Sequence, residues 1–212
     1  DPTNGQLQTL NSGDTTFKNC SFTNMDLSIY GLDNAASMAN TTATVEGCEF
    51  NSVKYGSGIK WIRTQNTVIK NNSFTKCKSG VMVMPVAGVP SVEITGNSFD
   101  AMEYELVQLG GSTTEWANAT NVTITGNTAV NPTATTSVFR VENANAKVTS
   151  YTNSDISTDI PTVGKKSKYY ATINSDGTVS AQDWPAVAKI GTIEYKTLAA
   201  AITASSAGAV IE

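Results

Sequence analysis

The chain has 212 residues, of which 15% are charged, with a formal net charge of −4 at pH 7 and no histidine. This balance is not that of a nucleic-acid-binding protein, and no apolar stretch approaches the length of a membrane-spanning helix. Without histidine, a serine or cysteine nucleophile lacks its usual base and zinc lacks its usual nitrogen ligand, so the composition predicts no cofactor and no metal.

A short phrase recurs along the first three quarters of the chain at intervals of 24 to 30 residues. It ends in Cys or Asn, and a Phe usually follows two positions later. The key position falls at Cys20, Cys48, Asn72, Asn97, Asn127 and Asn153. A period of this length is typical of stacked units, each forming one layer of a solenoid.

Within the phrase, apolar residues alternate with polar ones, which is the spacing of a β-strand. In the fourth copy, Val92 and Ile94 are expected to face inward, and Glu93 and Thr95 outward. A second apolar run begins 9 to 11 residues after each key position. These runs cover residues 29–32, 59–62, 81–84, 106–109 and 138–141. Each layer therefore has at least two strands, and successive layers build parallel sheets.

The phrase Ile94-Thr-Gly-Asn-Ser-Phe99 resembles the repeat of the pectin lyase-like superfamily, which includes many bacterial surface proteins. The resemblance covers roughly residues 15 to 155. It implies an all-β fold, a right-handed single-stranded parallel β-helix, in which the Asn side chains stack inside a turn. There they bond to backbone groups that the bend leaves unpaired. We expect this solenoid over residues 1–158 and a small C-terminal segment, a β-hairpin plus a short helix, over 159–212.

Two of the three cysteines, Cys20 and Cys48, occupy the same column in adjacent layers. Stacked parallel strands are about 4.8 Å apart, which permits a disulfide bond. However, their side chains point the same way, which fits disulfide torsions poorly. The spacing favours free buried thiols and leaves a bridge as the alternative. Cys77 is expected to be a core residue.

The C-terminal segment carries its own signals. Asp176-Gly177 between apolar runs predicts a hairpin, and a helix is expected from about Thr197 to Ser205 with Thr197 as its N-cap. Residues 195–202 also resemble the Tyr-x-Thr-Leu-x-x-Ala-Ile segment with which many bacterial surface proteins begin a new β-helix. Two interpretations stay open. The segment starts a further module of a longer parent chain, or it caps the open end of this solenoid.

Catalysis by glycoside hydrolysis needs two carboxylates about 5 to 10 Å apart. Glu103 and Glu105 follow Phe99, and strand alternation puts them on the same side, so they are the candidate acids. The alternative is that acids in a bend are simply solvated, since charged groups prefer water. The pattern favours a non-catalytic chain and leaves a polysaccharide lyase or glycoside hydrolase, or the non-catalytic part of one, as the alternative.

A binding surface is predicted from the second apolar runs. When the runs are aligned by their ends, one row is uniformly apolar and is expected to face inward: Leu32, Ile62, Met84, Leu109 and Val141. The neighbouring row is mixed and is expected to face outward: Gly31, Trp61, Val83, Gln108 and Arg140. Aromatic faces and polar groups together suit sugar rings, so the predicted ligand-binding residues are Trp61, Arg63, Gln108, Trp116 and Arg140. For Trp61 the alternative is buried packing.

These observations predict a β-helix module of a secreted or cell-surface bacterial protein. It would act as an adhesin or a structural spacer that meets a polysaccharide or host glycan. The opening residues Asp1-Pro-Thr lead us to expect a mature or excised fragment of a longer chain with further modules. The fold alone does not decide between adhesin and enzyme, because function lies in sites grafted onto the scaffold.

Overall fold

The structure is a computed structural model that describes residues 7–10, 13–32, 41–62, 66–85, 91–111, 116, 121–153 and 155–212. Its contacts divide the chain into two compact units, Asp1–Ala181 and Gln182–Glu212. The first unit is a parallel β-solenoid, and the predicted all-β class is confirmed.

Three six-stranded parallel sheets form the wall of the solenoid, and each layer contributes one strand to each sheet. Sheet A contains β1 (Leu7–Leu10), β4 (Ile29–Leu32), β7 (Ser57–Ile62), β10 (Ser79–Met84), β13 (Glu105–Leu109) and β16 (Ser137–Val141). Sheet B contains β2 (Thr15–Lys18), β5 (Thr42–Glu46), β8 (Asn66–Lys70), β11 (Ser91–Thr95), β14 (Asn121–Thr125) and β18 (Ser150–Thr152). Sheet C contains β3 (Ser21–Thr23), β6 (Glu49–Asn51), β9 (Ser73–Thr75), β12 (Ser98–Asp100), β15 (Thr128–Val130) and β19 (Asp155–Ile156).

The Asn column lies at the bend between sheets B and C, as the repeat predicts. Asn97 is 1% exposed, and its side-chain oxygen accepts hydrogen bonds from the backbone and side-chain N–H groups of Asn72 at 3.0 and 2.9 Å. Its own amide donates to the Ile69 carbonyl at 3.0 Å and to Asn127 Oδ1 at 2.9 Å. The ladder continues to Asn153, so buried amides supply the partners that the bend removes from the backbone.

Each of the five layers with key positions from Cys20 to Asn127 turns through two left-handed residues, whose φ angles lie between +51° and +64°. The first precedes the key position and is always Asn or Gly, the residues that adopt this conformation most readily: Asn19, Gly47, Asn71, Gly96 and Gly126. The second follows sheet C: Asn24, Ser52, Lys76, Ala101 and Asn131. The first bend joins the strand of sheet B to that of sheet C, and the second leads from sheet C to the next strand of sheet A.

Inside the solenoid, the Phe residues of the repeat stack in a column. Ring centroids are 5.0, 4.7 and 4.9 Å apart along Phe22, Phe50, Phe74 and Phe99. Gly80 lies beside this column, and a Cβ atom there would overlap the Leu106 carbonyl oxygen and lie 2.6 Å from Phe99 Cε1. The core therefore admits no side chain at this position.

The predicted register of sheet A is wrong by one residue in its early layers. Gly31 pairs with Trp61, Trp61 pairs with Val83, and Val83 pairs with Leu109 rather than with Gln108. Trp61 consequently belongs to the inward row and is 2% exposed. The indole packs against Phe17 at a centroid distance of 6.2 Å, so the buried-packing alternative is the one observed.

The three cysteines are free thiols, as favoured by the geometry of stacked strands. Burial raises the pKa of the Cys48 thiol and of the Cys77 thiol above the ordinary value, because the thiolate is poorly solvated there. Cys20 is half-buried. Cys77 lies in the core, as predicted.

The solenoid unit extends through residues 157–181. Val163 forms a bridge with Phe139, and β21 (Val179–Gln182) pairs with β17 (Lys147–Val148) and β20 (Tyr170–Ile173) in a small sheet. The predicted hairpin at Asp176-Gly177 is confirmed, since Gly177 N–H donates to the Asn174 carbonyl at 3.0 Å. The expected module boundary between 158 and 159 stays a prediction.

The second unit contains a hairpin, β22 (Ala188–Ile190) and β23 (Ile193–Tyr195), and one helix, α1 (Leu198–Ala204). The predicted N-cap is confirmed, because Thr197 Oγ1 accepts a hydrogen bond from Ala200 N–H at 3.1 Å. Five large apolar side chains of this unit are more than half exposed: Val187, Ile193, Leu198, Ile202 and Val210.

Candidate functional site

An open groove of about 1250 Å³ runs along the outer face of sheet A in the solenoid unit. Its floor is the outward row of that sheet, in which Lys60 pairs with Met82, Met82 with Gln108, and Gln108 with Arg140. Strands of a sheet lie about 4.8 Å apart, so these four side chains follow one another along the solenoid axis. The groove therefore suits an extended ligand.

One wall of the groove is formed by the bends that connect sheet C to sheet A. These bends carry Lys54, Lys78 and Tyr104. Backbone hydrogen bonds hold them in stacked order, with Lys78 N–H donating to the Val53 carbonyl and Tyr104 N–H to the Lys78 carbonyl, both at 2.8 Å. The repeat thus positions the functional side chains through its regular bends.

Lys166, from the polar segment that follows the last layer, also lines the groove. Its ammonium lies 4.0 Å from the centroid of the Tyr104 ring, and Lys78 Nζ lies 5.9 Å from the same centroid. Cations within about 6 Å of an aromatic face are attracted by the ring. Tyr104 therefore holds two ammonium groups at the edge of the groove.

Positive charge is concentrated in this groove. Five cationic side chains line it: Lys54, Lys60, Lys78, Arg140 and Lys166. The carboxylates among the lining residues are Asp26 and Glu105. The groove thus carries an excess of three positive charges in a chain whose net charge is −4. Walls of one charge sign attract ligands of the opposite sign.

Glu105 lies at the start of β13 and is 6% exposed. Ser79 Oγ donates a hydrogen bond to Glu105 Oε1 at 2.8 Å, which fixes the carboxylate in place. The layers on either side place serines in register with it, Ser79 before it and Ser137 after it. Of the salt bridges between described residues, none includes Glu105.

The structure brings together three of the predicted site residues, Glu105, Gln108 and Arg140. Arg140 Nε also donates to Glu142 Oε1 at 2.8 Å, which orients the guanidinium. Glu103 is exposed and is not a lining residue, so the candidate acids Glu103 and Glu105 lie in different surroundings.

The predicted aromatic platform is not formed. Trp61 is buried, and Trp116 is fully buried with its indole N–H donating to the Gly110 carbonyl. Arg63 lies outside the described residues. The exposed aromatic residue in the groove is Tyr55, whose relative exposure is 72%.

Sequence reasoning missed the four lysines and Tyr104. They are scattered over bends and strands from residue 54 to residue 166, and no short motif connects them. A usable signal was present in the dipeptides Ser57-Gly58 and Ser79-Gly80, which precede Ile59 and Val81. Aligning the runs on these dipeptides would give the observed register and place Lys60 on the outer face.

In the described part of the chain, no three His, Cys, Asp or Glu side chains cluster as a metal site would require. No helix there is long and apolar enough to cross a membrane.

Residues 5–174 match the protein-family model described as right handed beta helix region. No curated protein and no solved structure matches the chain significantly. The match covers the three parallel sheets of the solenoid and every residue that lines the groove, and it ends before the hairpin turn at Asp176-Gly177.

Proposed function

The chain belongs to the right-handed β-helix family, and we propose that it binds an acidic polysaccharide in the groove of sheet A without cleaving it. The proposal rests on the groove because a fold by itself does not determine function. The observation that carries the proposal is the excess of three positive charges in one groove of a chain with net charge −4.

The groove offers the contacts that an acidic glycan needs. Lysine and arginine side chains pair with carboxylates, and the amide of Gln108 both donates to and accepts from hydroxyl groups. Tyr55 and Tyr104 add aromatic surface for the apolar faces of sugar rings. An open groove along the solenoid axis accommodates a linear polymer better than a small molecule, which prefers an enclosed pocket.

The spacing of the carboxylates favours binding over hydrolysis. Asp26 precedes β4, and Glu105 begins β13, so three strand spacings of about 4.8 Å, roughly 14 Å in all, separate their layers. Glycosidases place their two carboxyl groups about 5 to 10 Å apart. A carbohydrate-active enzyme remains the alternative function, and a turnover assay decides between the two.

The proposal extends to the setting of the module. We propose that it belongs to a secreted or cell-surface bacterial protein, in which it acts as an adhesin or as a spacer that contacts a polysaccharide or host glycan. The likeness of residues 195–202 to the opening of a fresh β-helix supports a parent chain with further modules. The alternative for that segment is a cap.

A glycan-binding experiment tests the proposal. The full chain is applied to matched polysaccharides, polygalacturonate and its methyl-esterified form, at low and at high ionic strength. We expect binding to the acidic polymer alone, weakened by salt because the groove charges are exposed to screening. The double variant Lys60→Gln/Arg140→Gln should lose about tenfold in affinity, equivalent to about 1.4 kcal/mol.

The matched control is Lys76→Gln, because Lys76 is an exposed lysine of the same solenoid that does not line the groove. It should bind as the natural chain does. Equal binding to the neutral ester, or equal losses in the control and the double variant, would contradict the proposal. Release of reducing ends or unsaturated products from the same polymers would establish the enzyme instead.

A further inference from the structure

We infer that Lys78 and Lys166 jointly bind one acidic group of the polymer beside the Tyr104 ring, which holds their two ammonium groups in position. The inference rests on the proposed function and names the subsite that anchors the ligand. It comes from the contacts of one ring rather than from the total charge of the groove.

The backbone that carries Lys166 is fixed against the last strand of sheet A. Ser167 N–H donates to the Gly164 carbonyl at 2.9 Å, and Gly164 N–H donates to the Phe139 carbonyl at 3.0 Å. Ser167 is also buried, and its Oγ accepts a hydrogen bond from a backbone N–H of β16 at 3.0 Å. Lys166 therefore lies in a tight turn that is bonded to β16, and from there its exposed side chain reaches the Tyr104 ring.

Lys78 approaches the same ring from the neighbouring bend, which is bonded to that of Tyr104 through the Lys78 carbonyl. The two ammonium groups lie 4.0 and 5.9 Å from the ring centroid, and the negative face of an aromatic ring attracts both. Like charges held this close repel each other. Of the salt bridges between described residues, none includes Lys78 or Lys166, so an acidic group bound by both would neutralise their charge.

Glu105 follows Tyr104 in the chain and does not take that role. Its carboxylate is 6% exposed, accepts a hydrogen bond from Ser79 Oγ at 2.8 Å and forms no salt bridge with a described residue. The acidic group that meets the two lysines therefore comes from the ligand.

Other cations of the groove are arranged singly. Arg140 Nε donates to Glu142 Oε1 at 2.8 Å, so part of its charge is already balanced within the protein. Lys60 Nζ lies 5.2 Å from the centroid of the Tyr30 ring, and no second ammonium of the groove shares that ring among the described contacts. The pair at Tyr104 is thus the strongest local concentration of available positive charge in the groove.

The chemistry of the pair fits an oxyanion, either the carboxylate of a uronic acid or a sulfate ester. Each ammonium carries three rotatable donors, and an oxyanion has oxygen atoms that accept from two sides. Charge-assisted bonds of this kind are short, about 2.7 to 2.9 Å from nitrogen to oxygen. Because the ring holds the ammonium groups before the ligand arrives, binding costs less side-chain freedom.

The test measures the affinity of the full chain for polygalacturonate and for dextran sulfate, with the methyl ester and dextran as neutral counterparts. Lys78→Gln and Lys166→Gln should each weaken binding to the recognised acidic polymer about tenfold. The double variant should fall well short of the roughly hundredfold loss that independent sites would give, because both lysines bind the same group. Binding of polygalacturonate identifies a uronic acid, and binding of dextran sulfate alone identifies a sulfated sugar.

Tyr104 is a positioning residue, and a pair of variants tests that role without changing any charge. Tyr104→Leu should weaken binding severalfold, whereas Tyr104→Phe, which keeps the ring, should bind as the natural chain does. Urea unfolding of both variants shows whether they are equally folded. Equal affinities for the leucine and phenylalanine variants would overturn the role of the ring.

Lys54→Gln is the control, since Lys54 is an exposed lysine of the same groove, and it should weaken binding only about twofold. A hundredfold loss in the double variant of Lys78 and Lys166, or losses no greater than that of the control, would overturn the inference. The proposed function would survive that result if Lys60→Gln/Arg140→Gln still weakened binding. Failure to bind either acidic polymer would overturn both.

Discussion

Replacing Asn97 by alanine tests whether the buried amide ladder is what stabilises the bends. The side chain of Asn97 takes part in four hydrogen bonds, two accepted from Asn72 and two donated to Ile69 and Asn127. Two of those partners keep a second bond after the change. Asn72 Nδ2 still donates to the Val45 carbonyl at 3.0 Å, and Asn127 Oδ1 still accepts from the Asn97 backbone at 3.0 Å.

The other two groups, the Asn72 backbone N–H and the Ile69 carbonyl, lose this partner in a buried site. A buried polar group left without its partner costs about 1 to 3 kcal/mol, so the two together predict a loss of about 4 kcal/mol. That is a large share of the 5 to 15 kcal/mol by which a typical domain is stable. Asn97→Cys should lose less, because Cys48 occupies the same column and its sulfur accepts from Cys20 N–H at 3.5 Å.

Urea unfolding followed by far-UV circular dichroism measures the change in the free energy of unfolding. The control is Asn121→Ala, the same chemical change at an exposed position at the start of β14. The expected order of destabilisation is Asn97→Ala, then Asn97→Cys, then Asn121→Ala. A loss below about 1 kcal/mol for Asn97→Ala, or one equal to that of the control, would refute the role of the ladder.

Three further outcomes are expected. Gly80→Ala should lower the free energy of unfolding by about 3 kcal/mol, because the new Cβ overpacks the core. Gly126→Ala should lower it by only about 1 kcal/mol, since φ there is +64° but the nearest atom to a new Cβ is 3.8 Å away. Equal losses for the two variants in urea unfolding would contradict this. A thiol reagent at pH 8 should label Cys20 in the folded chain and reach Cys77 only in denaturant, because burial raises the pKa of the Cys77 thiol and shields it. Hydrogen bonds and ion pairs with Lys18 and Lys70 lower the pKa of the Glu46 carboxyl below its ordinary value of 4.5. The carboxylate therefore stabilises the folded chain at pH values above 4.5, and this contribution is lost as the pH falls through the lower pKa of the folded state. Glu46→Gln should flatten that acid-side decline, and an unchanged pH profile would argue against it.

The parts of the fold that face inward were predictable because they repeat. A solenoid stacks each layer on a similar one, so a side chain that fits one layer fits the next, and the Asn and Phe columns appear in the sequence as a period. The period gave the columns, the family resemblance implied the amide ladder through Asn72, Asn97 and Asn127, and the geometry of stacked strands favoured free cysteines over a bridge. Local signals sufficed for the hairpin at Asp176-Gly177 and for the Thr197 cap.

The register of sheet A was not predictable from hydrophobicity, because its strands are apolar on both faces. Met82 faces the groove, yet it lies between Val81 and Val83, so the run shows no alternation. Pairing fixed the register instead, and it turned Trp61 inward and Lys60 outward. The candidate site changed with it, from an aromatic platform to a cationic groove.

The contrast between rows that repeat and rows that vary also supports the proposal that the groove is a ligand-binding surface. The Phe column presents one kind of side chain in four successive layers, because stacking requires it. The outward row of sheet A lies on the same layers and presents four different chemistries: Lys60, Met82, Gln108 and Arg140. Packing of one layer on the next does not demand this variety, since these side chains face away from the core. An ordered series of unlike groups at the strand spacing suits the proposed binding of an extended ligand, whereas a spacer without a ligand needs only solubility.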